Sequence, residues 1–226
     1  MTVCVACGDD GAATVDAAND QIDAASVDAA GCAKVWSVNL RNGSASATVG
    51  AGALTLSDVD SPQASALEVE QAGITGDFDL SFSFTGWTAA GTGAFFQAGI
   101  GSDVAVQTRF VVGGIGTFPA PVVGVAEQPD TGDPAADLQA TSLVAGTVRY
   151  RRTGNTLTAT AMTTDATAEI VLDDFSEDPL KVGLQLGSNM GTLSGTTSVM
   201  ITDFTITGGG STVVSDTFDC DSLIAP

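Results

Sequence analysis

Along residues 77–87, DFDLSFSFTGW, apolar and polar positions alternate. Phe78, Leu80, Phe82 and Phe84 fall on one parity; Asp77, Asp79, Ser81 and Ser83 fall on the other. A period of two predicts a β-strand with one face in a core and one in water. The same period recurs along the chain. Lys34–Leu40 sets Trp36, Val38 and Leu40 on one side, and Ser46–Val49 with Ala53–Leu56 predicts a hairpin about Gly50-Ala51-Gly52. Ala64–Gln71 turns Leu67 and Val69 inward and Glu68 and Glu70 outward. Ala94–Ile100 and Val104–Val112 flank a turn at Gly101-Ser102, and Ala168–Leu172, Leu180–Gly187, Val199–Thr207 and Val213–Phe218 complete the series. No long stretch carries Leu or Ile at helical spacing. Short Val/Thr/Ala runs divided by Gly-rich turns predict an all-β sandwich or barrel.

The sharpest local pattern is residues 147–162, TVRYRRTGNTLTATAM. A two-residue turn at Gly154-Asn155 sets Thr153 against Thr156, Arg151 against Thr158 and Arg149 against Thr160. Val148, Tyr150, Leu157 and Ala159 then share the opposite face. Arg149 and Arg151 thus stand together on a Thr-lined face, either as contacts for an anion or sugar hydroxyls or as partners of neighbouring carboxylates. Residues 113–139 form a low-order stretch holding four of the seven prolines, with one strand expected at Val122–Ala126. Trp87 follows the Thr85-Gly86 break, where parity no longer fixes its direction, and is a candidate ligand contact.

Composition narrows the functions open to such a sandwich. With 27 acidic against 7 basic residues the formal charge of the 226-residue chain is −20, which repels phosphate and excludes nucleic acid as a partner. The absence of His removes the usual general base, the His-activated nucleophiles and the imidazole metal ligands. Any catalysis would rest on carboxylates. No apolar run reaches the ~18 residues a transmembrane helix needs. Acidic turns at Ser57-Asp58-Val59-Asp60 and Asp173-Asp174 gather oxygen ligands of the kind calcium takes, without a specific loop pattern, so calcium stays unassigned and no cofactor is expected.

Residues 1–30 differ from the remainder: Val/Ile-Asp-Ala-Ala recurs at Val15–Ala18, Ile22–Ala25 and Val27–Ala30, with no aromatic residue and no cation. This predicts a flexible acidic tether ahead of a single β-sandwich domain over 31–226. Cys4-Val5-Ala6-Cys7-Gly8-Asp9-Asp10 resembles the end of a bacterial lipoprotein signal, although Cys4 stands where that family carries Leu. The resemblance implies a chain that starts within its signal, a lipid on Cys7 and an extracytoplasmic address at the outer membrane or cell surface, or secretion. In such a compartment Cys32 and Cys220, near the two ends of the folded region, are candidates for a disulfide worth about 2–4 kcal/mol; two separate buried thiols are the alternative.

Three motifs in order, FDLSFSF, YRRTGNTLTA, and KVGLQLG followed by a polar loop and ITDFTI, resemble the concanavalin A-like lectin/glucanase family, including its laminin-G-like members. The likeness covers about residues 33–207. It implies an antiparallel two-sheet jelly roll and a non-catalytic secreted or surface-anchored bacterial protein that binds a polysaccharide or a cell-surface protein. The laminarinase-like branch carries Glu-x-Asp-x-x-Glu on a strand. Here Glu68-Val69-Glu70 keeps two carboxylates about 6–7 Å apart along a strand, while the central Asp and the final Glu are missing. The alternatives are therefore a glycoside hydrolase or lyase using Glu68 and Glu70, and a structural envelope or matrix protein without a small ligand.

Overall fold

The computed structural model describes residues 36–40, 45–59, 66–102, 110–118, 120–129, 135–177, 179–188, 194–208, 214–216, 218 and 223–224. The tether, Cys4, Cys7, Cys32, Cys220 and Asp60 lie outside these residues. All the described regular structure is strand: β1 (Trp36–Leu40), β2 (Ser46–Gly50), β3 (Ala53–Val59), β4 (Ala66–Ile74), β5 (Phe78–Thr88), β6 (Ala94–Gly101), β7 (Phe110–Thr117) and β8 (Pro121–Gln128). These precede β9 (Ala136–Ala140), β10 (Gly146–Thr153), β11 (Thr156–Met162), β12 (Thr167–Leu172), β13 (Leu180–Ser188), β14 (Thr196–Gly208), β15 (Val214–Asp216) and β16 (Leu223–Ile224). Among the described residues no helix is long and apolar enough to cross a membrane.

The strands form two sheets. The first has the order β16-β1-β4-β13-β6-β7-β8-β9; the second is β12-β11-β10-β5-β14-β3-β2, with β15 also paired to β14. Pairings are antiparallel except β1 with β16, where Trp36 faces Leu223 and Ser37 faces Ile224 in parallel register. The core lies between the sheets, as the alternation demands. Phe78, Leu80, Phe82 and Phe84 of β5 are each 3% exposed or less. Phe82 meets Phe96 of β6 edge to face, centroids 6.1 Å apart, and stacks on Phe204 of β14 at 6.2 Å. Such aromatic pairs add a little beyond their area burial. The second sheet sends Tyr150 across the core, where its hydroxyl donates to the Ala98 carbonyl of β6 at 2.6 Å. Burial pushes that phenol up from its ordinary pKa, so it stays a donor.

The hairpin register matches its expectation residue for residue: Arg149 faces Thr160, Arg151 faces Thr158 and Thr153 faces Thr156. The central stretch departs from it. The alternation predicts Val104–Val112 as the strand after β6 and leaves 113–116 irregular, yet β7 spans Phe110–Thr117 and includes Gly113-Gly114-Ile115-Gly116; residues 103–109 lie outside the described set. The glycines hide the strand because their missing side chains are what the packing uses. A Cβ on Gly113 would stand 3.1 Å from Val148 Cγ1 and 3.2 Å from the Tyr150 hydroxyl, so the gap admits the crossing tyrosine. Strand β9 likewise escapes the pattern, because its residues are mostly exposed on an edge.

Candidate functional site

Three places concern function: the Arg149–Arg151 face, Trp87, and the outer face of the first sheet. On β10, Arg149 donates from Nε to Asp79 Oδ1 of β5 at 2.8 Å, with a second contact between its Nη2 and Oδ2. Asp79 also faces Arg151 in register. The hydrogen bond from Arg149 holds the Asp79 carboxyl below the usual carboxylate range against the opposing effect of burial, and the charges of Arg149 and Arg151 add to the effect. Arg149 thus has a carboxylate partner in Asp79, to which Arg151 contributes charge. Arg152, which the pattern did not single out, points the other way. It is 6% exposed and donates to the carbonyls of Gly154 at 3.0 Å and Glu177 at 2.7 Å, fastening the acidic 173–177 turn beneath the hairpin.

Trp87 is 4% exposed and belongs to the core, which removes it from the candidate ligand contacts. The reason lies one residue earlier. Gly86 has φ +64°, and the β5–β14 register shifts between Ser198 and Met200. A bulge adds a residue and reverses parity, so Trp87 turns inward after Thr85 has faced out. Its backbone N–H donates to the Val144 carbonyl at 3.2 Å.

The outer face of the first sheet carries a shallow groove of about 160 Å³. Its floor is glycine: Gly114 and Gly116 on β7, and Gly124 on β8. Its walls are Phe95, Phe118, Val122 and Leu138. Glycine is required at Gly114, where a Cβ would overlap the Phe96 carbonyl and stand 2.8 Å from Gln97 Cα. At Gly116 and Gly124 a Cβ would chiefly meet the Phe118 ring and the Leu138 side chain, which pack over the bare backbone there. Phe118 and Leu138 nevertheless stay 42% and 62% exposed, so two large apolar side chains lie on glycine and face solvent. At the other end, Gln97 of β6 faces Gln185 of β13, and Gln97 Nε2 donates to Gln185 Oε1 at 2.6 Å. That bond leaves Gln97 Oε1 with acceptor capacity and Gln185 Nε2 with donor capacity beyond the pair.

The register continues to the expected carboxylates. Glu68 faces Gln185 and Glu70 faces Gly183, on the parity opposite the core positions Leu184 and Leu186. Glu68 and Glu70 therefore occupy the groove's face of the sheet. Asn39 and Ser37 of β1 are their partners on the far side. Among the described residues no three His, Cys, Asp or Glu side chains gather to hold a metal ion; Asp58 is buried, at 3% exposed, and Asp60 lies outside the described residues. The groove itself could not have been read from sequence, since a glycine floor leaves no periodic signal. Phe118 within a Pro-rich run was its one visible trace.

Two curved antiparallel sheets in this order, enclosing one aromatic core, make the concanavalin A-like jelly-roll sandwich, and solved structures bear this out. The chain is similar to the legume lectin-like domain from Entamoeba histolytica at 10% identity and TM-score 0.56, covering 78% of this chain and 91% of that one. It is similar to lectin I-B4 from Griffonia simplicifolia in its metal-free form at 13% identity and TM-score 0.52, covering 75% and 92%. The alginate lyase from Klebsiella pneumoniae aligns at 12% identity and TM-score 0.51, over 75% and 86%. At these identities the likeness is one of fold. No family model matches the chain, and no curated protein matches it.

Proposed function

We propose that the protein is a non-catalytic carbohydrate-binding β-sandwich and that the groove on the outer face of the first sheet is its binding site. The observation that carries this is a small groove whose solvent-facing apolar bed has the Gln97 amide in its lining, hydrogen-bonded to Gln185 on the next strand. A pyranose ring has the matching construction: a C–H face that packs on apolar surface and a hydroxyl rim that takes hydrogen bonds. The lectins among the similar folds are consistent with this reading. A glycan array of soluble and immobilised saccharides, read with and without calcium, tests it. Binding that Gln185→Ala weakens about tenfold, the scale of one lost hydrogen bond, is expected. Silence on every saccharide rejects it.

The register also favours a second reading, a glycosidase or lyase, because Glu68 and Glu70 share the groove's face. Polysaccharide turnover abolished by Glu68→Gln or Glu70→Gln would establish it; no turnover leaves the binding role. The proposed address is extracytoplasmic, with a lipid on Cys7 as the anchor, supported by the Gly8-Asp9-Asp10 spacer. Intact-mass analysis of protein from its native source reads the lipid directly, and an unmodified Cys7 refutes the anchor.

A further inference from the structure

The groove's surroundings narrow the ligand beyond the class just proposed, a refinement that rests on the groove being a saccharide site. One cross-strand row runs over the outer face of the first sheet through Glu68, Gln185, Gln97, Gly114, Gly124 and Leu138. Neighbouring strands lie about 4.8 Å apart, so this row of six positions spans about 24 Å. It grades from acidic, through amide, to glycine and then apolar. The 160 Å³ groove occupies the part of the row from Gln97 through the glycines to Leu138, room for about one sugar ring. The remaining length of the row offers polar contacts to further rings of the same chain.

Charge decides which chains are admitted. Glu68 and Glu70 stand on this face one strand away from Gln185 and Gly183. Among the described residues of the first sheet's strands, the single cation is Lys181, which faces Ala72 and Gly101 one row beyond Glu70 and can offset at most one of the two carboxylates. The whole chain carries −20. A polyanion approaching this row meets local repulsion and a repulsive long-range field together, whereas a neutral glycan meets neither. We infer that the groove takes a neutral, linear glycan laid across the strands from Leu138 toward Glu68, and that it rejects uronate polymers.

The full-length protein is tested by calorimetric titration in 0.15 M salt (about an 8 Å screening length). The probes are a soluble linear neutral glucan or mannan, alginate of matched length, and the monosaccharide of each neutral chain. The neutral chain is expected to bind at least about tenfold more tightly than alginate, and more tightly than its monosaccharide by a similar factor, equal to about 1.4 kcal/mol each. Phe118→Ala and Gln185→Ala should each weaken the neutral chain about tenfold, and the double change Glu68→Gln with Glu70→Gln should narrow the gap between neutral chain and alginate. Unchanged melting curves identify variants that fold. Alginate binding as tightly as the neutral chain overturns the inference while leaving a saccharide-binding function intact. A monosaccharide binding as tightly as its chain overturns the lay across the strands, as does neutral-chain binding indifferent to both Phe118→Ala and Gln185→Ala. Binding of neither class removes the function proposed above and this inference with it.

Discussion

Arg149 and Arg152 stand three positions apart on β10 and experience different solvents. The pair of Arg149 with Asp79 is exposed, at 50% and 32% for the two side chains. Removing it with Arg149→Ala should cost under about 1 kcal/mol in urea unfolding, since exposed ion pairs gain little over hydration. Arg152 has left water almost entirely and satisfies its guanidinium on the carbonyls of Gly154 and Glu177. Arg152→Ala strips both acceptors of their donor and opens space beneath the hairpin, so a loss of about 2–3 kcal/mol is expected in the same measurement. Equal losses for the two variants would refute the distinction. In the sequence, the Gly154-Asn155 register placed Arg149 and Arg151 together on one face and left Arg152 unremarked. What parity could not supply was the value of the inward one, because carbonyl acceptors on a later turn have no sequence signature. Trp87 failed for a related reason: one left-handed glycine, Gly86, reverses the alternation after it.

At the scale of elements, carboxylates do much of the joining. Asp165, on the turn between β11 and β12, accepts from the Thr141 and Thr163 hydroxyls, each at 2.6 Å, and from the Ser142 N–H at 2.9 Å and hydroxyl at 2.7 Å. These donors, led by the Thr141 and Thr163 hydroxyls, hold its carboxyl well below the usual range. Asp79 is lowered chiefly by Arg149, and Asp137 chiefly by the Glu169 N–H. A depressed folded-state pKa gives stability that is present above the unfolded value of about 3.9 and disappears as pH falls through the folded one. Thermal melts should therefore show no contribution from these groups to a change in Tm between pH 5 and 7, and a decline starting below about pH 4. In Asp165→Asn that acid decline should be shallower and start from a lower Tm. A decline already complete at pH 5 would contradict the assignment.

The ends of the described chain supply another element-scale expectation. We propose the Cys32–Cys220 disulfide: β1 and β16 run side by side, Cys32 precedes Trp36 by four residues and Cys220 precedes Leu223 by three. Peptide mapping without reduction should recover the linked pair; two alkylatable thiols in protein from its native source would exclude it. The strand elements themselves were largely legible, because thirteen-residue β14 and eleven-residue β5 keep a two-residue period over most of their length. The elements that were not, β7, β9 and the two-residue β16, are rich in glycine, exposed or too short to show a period. Their positions come from what packs against them.

For the whole molecule, the two sheets are joined along one side of the sandwich by a hydrogen bond between their edges. Asp137 on β9, the edge of the first sheet, accepts the Glu169 N–H of β12, the edge of the second, at 2.9 Å. An edge strand offers its outward N–H groups to any other chain, and this one has been given an intramolecular acceptor. The consequence concerns behaviour in crowded solution. While Asp137 is ionised, one outward N–H of β12 is occupied, and the −20 charge opposes the approach of a second copy. Both protections rest on carboxylates and weaken together in acid. Asp137→Ala should associate at a lower protein concentration than the native chain, measured by light scattering at neutral pH. The native chain should show the same tendency once acidified below about pH 4, with identical scattering at all pH values as the contrary result. A hydrogen bond that reads locally as a seam between two sheets would thus help set how concentrated, and in how acidic a medium, this protein resists edge-to-edge association.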